Sequence, residues 1–221
     1  TLRADNTTGN STGTGPLEIM AGATLTGTGM LGSPTTLDDY SYLLPGDPTG
    51  TLTCISDLTL NDNTILQFGL GTNSDSVAVG GDLFLTGQLL VTDGGGFGPG
   101  TYMLFTCAGT ITYDNFTLAS APPGFNYSID TSTPGTVSLV VTLPSPPSIN
   151  NISVNNGNLV LSGSGGASNA TFYLLTSTNL TTPLSNWTPL LTNQFDAGGN
   201  FNLTNPVDST APQSFYLLQL P

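Results

Sequence analysis

The chain has 221 residues, with 14 acidic residues, one arginine, no lysine and no histidine, so its formal net charge at pH 7 is −13. Nucleic acids and anionic membranes bind through cationic side chains, so this composition excludes both as partners. Charged residues make up 7% of the chain, against roughly a quarter in ordinary globular proteins, which predicts a surface of neutral polar groups. No apolar run approaches the roughly 20 residues that span a bilayer, so we expect no membrane insertion of this chain.

The N-terminal segment 1–15 is polar, and we expect a frayed or docked arm. Apolar pairs at Leu17/Ile19 and Ala23/Leu25, with glycines at the corners, predict the start of a repeating strand–turn unit. The segment 33–50 interrupts the rhythm with three prolines, which predicts a long excursion from a turn.

The central stretch 52–91 carries the clearest pattern, apolar residues at every second position between turns of Gly, Asn and Asp. These residues are Leu58/Leu60, Leu66/Phe68/Leu70, Val77/Val79, Leu83/Leu85 and Leu89/Val91. Alternate side chains of a strand share one face, so each run predicts a strand with one buried side. The unit Asp57–Leu60 is echoed at Asp82–Leu85, and a repeated unit that cannot bury its own face requires stacked neighbours. We therefore predict a solenoid over 16–143, closed by a strand at 136–143.

Residues 144–148 are rich in proline and predict a linker between two domains. Beyond it, six short alternating runs with Gly-rich turns predict a small antiparallel β-sandwich, immunoglobulin-like or fibronectin-like, over 149–221. The runs lie at 149–154, 158–162, 171–177, 187–191, 200–204 and 214–220. No segment has helical periodicity with caps, so we expect almost no helix.

Several stretches of the first domain resemble the autotransporter-associated β-strand repeat of bacterial surface proteins. They are Ala23–Gly29, Leu43–Asp47, Gly50–Thr53, Asp57–Leu60, Asp75–Val79 and Gly96–Phe105. The resemblance spans about residues 15–142 and implies an exported right-handed parallel β-helix passenger, whose signal peptide is absent from this chain.

Three stretches near the C-terminus, Leu175–Asn179, Trp187–Pro189 and Ser214–Leu217, are similar to a small C-terminal β-domain of secreted bacterial proteins. That domain usually has a basic residue after its Phe-Tyr, where this chain has Leu217, Leu218 and Gln219. The departure makes the last strand unusually apolar. Neither resemblance carries catalytic residues.

The composition argues against an enzyme. General acid–base catalysis by histidine is excluded, a serine triad has no base, and Arg3 is the only cationic side chain. Adjacent carboxylates such as Asp38 and Asp39 point to opposite faces of a strand and make a poor glycosidase pair. Asp57 and Asp82 occupy equivalent turn positions, where we expect them to cap turns. We predict no catalytic residues and no cofactor.

Binding sites have only a few candidates. Asp38, Asp39 and Asp47 form the best local cluster for calcium, although solvated loop carboxylates are the favoured explanation. Cys54 and Cys107 are candidates for a disulfide, with two buried free thiols as the alternative. Trp187, Tyr173 and Tyr216 could form a platform for stacking sugars, and the alternative is aromatic packing in a sandwich core.

The leading functional hypothesis is an extracellular structural protein, the self-assembling subunit of a bacterial surface fibre or sheath. A nearly uncharged surface can pack against other copies without desolvating ions, and open strand edges template association. The last strand is apolar on both faces, which suits a central strand or a contact between subunits. The predicted contact residues are Phe215, Tyr216, Leu217, Leu218 and Leu220. The alternative is a monomeric adhesin or carbohydrate-binding module of a larger secreted protein, with surface polysaccharide as its partner.

Overall fold

The structure, a computed structural model, describes residues 1–47, 49–167, 169–208 and 210–221. The described chain consists of strands joined by turns, with one short 3-10 helix at Leu184–Asn186, and the predicted all-β class is confirmed. It divides into two compact units, Thr1–Thr142 and Leu143–Pro221. The division falls beside the predicted linker 144–148, whose last residue begins a strand.

The strands of the first unit are distributed over three faces. They are β1 Leu2–Ala4, β2 Leu17–Ile19, β3 Thr24–Gly27, β4 Met30–Leu31, β5 Thr35–Leu37, β6 Tyr42–Pro45, β7 Thr51–Cys54, β8 Leu58–Leu60, β9 Ile65–Leu70, β10 Ser76–Val79, β11 Leu83–Asp93, β12 Gly100–Cys107, β13 Ile111–Ser120, β14 Asn126–Asp130 and β15 Thr136–Thr142.

The chain crosses the same three faces repeatedly, and one crossing of all three is called a pass here. Successive passes stack in parallel and in register. On the first face, β2, β5, β8 and the start of β11 are neighbours; on the second, β1, β3, β6, β9 and the end of β11. On the third, β4, β7, β10 and β12 are neighbours. The ladder that begins at Leu17 continues through Thr35, Leu58 and Leu83 to Ile111, so each pass places its inward side chain above the previous one. The resulting core is a single stack of buried leucine, valine and phenylalanine side chains.

Buried hydroxyls hold the corner between the first and second faces. The same turn recurs in three passes, with the amides of Ala23, Ser41 and Thr64 donating to the carbonyl three residues earlier at 2.9–3.0 Å. The side chains of Ser41, Thr64 and Thr86 are fully buried there. Thr86 donates to the Leu60 carbonyl of the preceding pass at 2.6 Å. This bond gives the buried Thr86 hydroxyl a backbone acceptor in the preceding pass.

Antiparallel strands end the third face. β15 pairs antiparallel with both β12 and β14. Beside them the rings of Phe97, Tyr102, Phe125 and Tyr127 pack together, with ring centroids of neighbouring pairs 5.2–6.4 Å apart. The change from parallel to antiparallel pairing therefore comes with an aromatic cluster at this end of the core.

The second unit contains two three-stranded antiparallel sheets. Its strands are β16 Ser148–Asn155, β17 Asn158–Ser164, β18 Thr171–Ser177, β19 Thr188–Gln194, β20 Phe201–Pro206 and β21 Phe215–Gln219. One sheet has the order β16-β17-β20 and the other β19-β18-β21. The two sheets share an apolar core in which Phe172 packs on Phe195 and Phe201, at centroid distances of 4.6 and 5.3 Å.

The structure corrects one prediction for the N-terminal half and decides between the alternatives of another. The segment 33–50 is not an excursion, because it supplies β5 and β6 in full register with their neighbours. Two of its three prolines are tolerated because Pro34 precedes β5 and Pro45 ends β6, where a missing amide donor is least costly, and the third, Pro48, lies outside the described residues. The arm is docked rather than frayed: Leu2–Ala4 pairs with β3, and Asn6 and Ser11 hydrogen-bond to Met30 of β4.

Candidate functional site

A groove of about 580 Å³ lies along the second face of the first unit. Its floor is built by alternation: Leu25 and Leu66 point into the core, so their neighbours Thr24, Thr26 and Gln67 face the groove. Leu44, Pro45 and Thr92 complete the floor from β6 and β11. Parallel stacking thus brings hydroxyl and amide groups from three strands, and apolar groups from β6, onto one surface.

Carboxylates line the end of the groove where these strands finish. Asp47, Asp75 and Asp93 all contribute to the lining. Asp75 is largely buried, and it accepts hydrogen bonds from the Gly69 amide at 2.7 Å and the Gly50 amide at 3.1 Å. Burial raises the pKa of the Asp75 carboxyl above its ordinary value, the two amide donors oppose this shift, and the charge of Asp47 adds to it.

The only basic side chain of the protein is occupied beside the groove. Arg3 forms ion pairs with Asp5 and Asp47, and its Nη2 also donates to the Asp47 carbonyl at 2.8 Å. Hydrogen bonding to Asp5 and the charge of Asp47 raise the pKa of the Arg3 guanidinium. The groove therefore offers acceptors and neutral donors, which suits a ligand rich in hydroxyl groups and disfavours an anionic one.

Asp57 and Asp82 have a structural role at the corner between the third and first faces. The Asp57 carboxylate accepts from the Asp82 amide at 2.8 Å, and the Asp82 carboxylate accepts from the Thr110 amide at 2.7 Å. Each aspartate thus binds the backbone of the next pass, which is a structural role of a different kind from the predicted capping of its own turn.

The three calcium candidates do not come together. Asp38 and Asp39 precede β6, whereas Asp47 follows it, and four extended residues separate the two ends by roughly 13 Å. Asp39 accepts from the Asn63 amide at 3.1 Å, and Asp47 is paired with Arg3. Among the described residues, no group of three or more acidic, cysteine or histidine side chains could hold a metal ion.

Cys54 and Cys107 are free thiols, so the predicted disulfide is not formed. Both are register partners of Val79, Cys54 on β7 and Cys107 on β12, with β10 between them. Two strand spacings amount to roughly 9.5 Å, beyond the roughly 7 Å that a disulfide can bridge between Cα atoms. Burial raises the pKa of Cys54 to about 12, and this thiol behaves as a core side chain.

Of the two interpretations of Trp187, Tyr173 and Tyr216, the sugar-stacking platform is not formed. Tyr173 aligns with Gln219 and Tyr216 with Thr176, which places the two tyrosines on opposite faces of the β19-β18-β21 sheet. Trp187 is 8% exposed, and its indole N–H donates to the Thr182 carbonyl at 3.0 Å. Trp187 therefore anchors the preceding loop instead of presenting its ring to a sugar.

The last strand is an edge strand, not a central one. In the described chain β21 pairs only with β18. Phe215, Tyr216, Leu217 and Leu218 are each half-buried, and Leu220 beyond the strand is 41% exposed. The central-strand alternative is wrong, and a contact between subunits through these residues stays a prediction.

Sequence reasoning did not identify the groove. The available signal was the polar residue between two inward apolar ones, such as Gln67 between Leu66 and Phe68. This signal is present in most strands, and only the register between passes shows which polar residues share a surface.

Comparison with known proteins gives one partial similarity. The chain is 35% identical over 108 residues to the adhesin BmaC autotransporter of Brucella suis biovar 1 (strain 1330). The match covers 44% of this chain and 3% of that protein, so the chain spans a small fraction of the relative it matches. No protein-family model matches the chain. The similarity supports an autotransporter-related β-rich protein.

In the part of the chain that the structure describes, no helix has the length and hydrophobicity to cross a membrane.

Proposed function

We propose that this chain is a non-catalytic, adhesin-type segment of an exported bacterial surface protein. Its first unit is a right-handed parallel β-helix, supported by the three ladders that continue from pass to pass. Its second unit is a small β-sandwich of immunoglobulin-like or fibronectin-like type, supported by the two sheets around one core. The similarity to an autotransporter adhesin supports a location at the cell surface or outside the cell.

The observation that carries the binding role is the groove on the second face. It presents threonine hydroxyls, the Gln67 amide and carboxylate acceptors over about 580 Å³, which lies within the size range of ligand sites. Sugar hydroxyls need both donors and acceptors, and the apolar surface of Leu44 and Pro45 suits the C–H face of a sugar ring. The ligand is a neutral surface polysaccharide, because three carboxylates repel an anionic one.

Binding to immobilised glycans tests this proposal. The purified protein should retain neutral oligosaccharides in preference to uronic acids, and replacing Thr24 and Gln67 by alanine should weaken retention about tenfold. The matched control replaces Thr36 and Thr59, which occupy outward positions of the first face, and should bind as the unaltered protein does. Equal weakening in both variants, or preference for uronic acids, contradicts the proposal.

The same groove supports the non-catalytic part of the proposal. The protein has no histidine or lysine, and its single arginine is held by two aspartates. The groove thus has many hydrogen-bond acceptors, but no basic side chain is free to stabilise the negative charge that develops in a transition state. Incubation with neutral and acidic polysaccharides should release no reducing ends.

A second candidate is the self-assembling subunit of a fibre or sheath, favoured by the exposed edge of β21 and its apolar residues on both sides. A fibre requires a head-to-tail contact that repeats without closing. Negative-stain images of concentrated protein should then show filaments, and discrete particles of fixed size contradict this candidate.

A further inference from the structure

One strand of the second unit exposes the side chains that face its core. On β16, Ile152 aligns with Leu161 and Val154 with Leu159. Cross-strand partners point to the same side of a sheet, and Leu159 and Leu161 are buried in the core. Yet Ile152 is 58% exposed and Val154 is 66% exposed. The opposing sheet therefore does not extend far enough to cover β16.

A bulge extends this uncovered strip along the strand. The register shifts by one residue between Ile149 and Asn151, which aligns Ile149 with Gly163 on the core-facing side. Ile149 is 36% exposed. The three apolar residues of β16 thus form one strip, named here the β16 strip, on the inner side of the sheet.

The position from which a strand would cover the β16 strip lies beside β21. A groove of about 480 Å³ lies between the two sheets on this side. It is lined by Ile152, Val154, Leu159, Val207, Pro212 and Tyr216. Among described residues β16 pairs only with β17, and β21 only with β18, so one further strand beside β21 would face the β16 strip.

Both open edges lack charged residues and proline, two of the features that normally block association, although β16 carries the bulge at Asn150. Asp196 and Asp208 are the only ionisable acidic side chains of the second unit, although the whole chain has a net charge of −13. Asp208 lines the groove beside the β16 strip and Asp196 does not, so each copy brings a single carboxylate near the contact.

We propose that two copies of this protein pair reciprocally, with β16 of each copy adding to the free edge of β21 of the other. A two-fold axis along the strands places each β16 in the position of the missing strand, where its strip packs against the strip of the other copy. Each sheet then becomes a six-stranded sheet formed by both copies. In this arrangement β16 of the second copy pairs with the open edge of β21, and its apolar residues also cover the β16 strip of the first copy. Because one strand meets both requirements, a second copy is the occupant that the geometry favours. The contact is isologous and closes as a dimer, so it does not lead to a fibre and does not depend on the groove of the first unit.

Sedimentation of the full chain over a wide concentration range tests the proposal. A monomer–dimer equilibrium is expected, and it should persist at high salt because the contact contains no ion pair. A protein that stays monomeric at every concentration, or that forms open-ended assemblies, overturns the proposal.

Hydrogen–deuterium exchange identifies the strands involved. Dimerisation should slow the exchange of amides in both β16 and β21 at once. Slowing in β16 alone would indicate β16–β16 pairing, and slowing in neither strand would indicate a contact elsewhere; either result overturns the reciprocal arrangement.

Substitutions on the β16 strip test the role of its side chains. Ile152→Asp with Val154→Asp should raise the dimer dissociation constant by about 100-fold or more, because the carboxylates would be buried without partners. Leu184→Asp is the matched control, since Leu184 is 59% exposed and lies outside the groove, and it should dimerise normally. Unchanged emission of Trp187 establishes that each variant is folded. A folded double variant that dimerises as strongly as the unaltered protein overturns the proposal.

Discussion

A methyl group added at Gly109 tests whether the passes of the first unit are held in contact at the corner of Asp57 and Asp82. A Cβ atom on Gly109 would lie 2.4 Å from Asp82 Oδ1 and 2.6 Å from the Gly81 carbonyl oxygen. The carboxylate can move, but the Gly81 carbonyl is backbone and accepts a hydrogen bond from the Gly109 amide at 3.0 Å. Gly109→Ala therefore forces two successive passes apart.

The expected loss of unfolding free energy has two parts. Overpacking costs typically about 1–3 kcal/mol, and loss of the Asp82–Thr110 hydrogen bond adds about 1 kcal/mol. We expect Gly109→Ala to destabilise the first unit by about 2–4 kcal/mol. Gly100→Ala is the matched control, because a Cβ there meets nothing within 4 Å, and it should be neutral or stabilising by up to about 1 kcal/mol.

Urea unfolding followed by far-ultraviolet circular dichroism measures the loss. The single tryptophan of the chain, Trp187, lies in the second unit, so its emission should show an unchanged transition in the same samples. Adding Asp82→Ala to Gly109→Ala should recover little, because the clash with the Gly81 carbonyl remains. Full recovery in the double variant, or equal stability of the Gly109 and Gly100 variants, would refute the reasoning.

Three further predictions concern buried groups. Because burial raises the pKa of Asp75, the stabilisation from its protonated form is lost as pH rises through the folded pKa; the protein should lose unfolding free energy relative to Asp75→Asn as pH rises above the ordinary aspartate pKa of about 4, and a constant difference in urea titrations contradicts this. Under native conditions a thiol reagent should modify half-buried Cys107 first and Cys54 only on unfolding, and a reductant should leave the melting temperature unchanged. Phe172→Ala should destabilise the second unit by about 3–5 kcal/mol, measured by Trp187 emission, because it removes the ring that contacts both Phe195 and Phe201; a loss under about 1 kcal/mol would show that these rings repack.

Much of the strand content was determined by local sequence. The alternation at Leu58/Leu60 and Leu66/Phe68/Leu70 corresponds to β8 and β9, with those side chains buried. The six runs after the linker correspond to β16–β21 within a few residues. Alternation is a property of neighbouring residues, and a strand with one buried face requires it wherever the strand lies.

Only the tertiary structure decided which strands meet. The excursion predicted at 33–50 is wrong, and neither the candidate disulfide between Cys54 and Cys107 nor the alternative of an aromatic platform is formed. All three depend on register between segments far apart in sequence. The groove likewise takes its residues from four strands of different passes. Alternation fixes the side of a strand that is buried but not its neighbours, since register is set by the lengths of the intervening turns and by packing across the core. The exposed strip on β16 shows the same limit, because its residues alternate like those of a buried strand and only the extent of the opposing sheet leaves them uncovered.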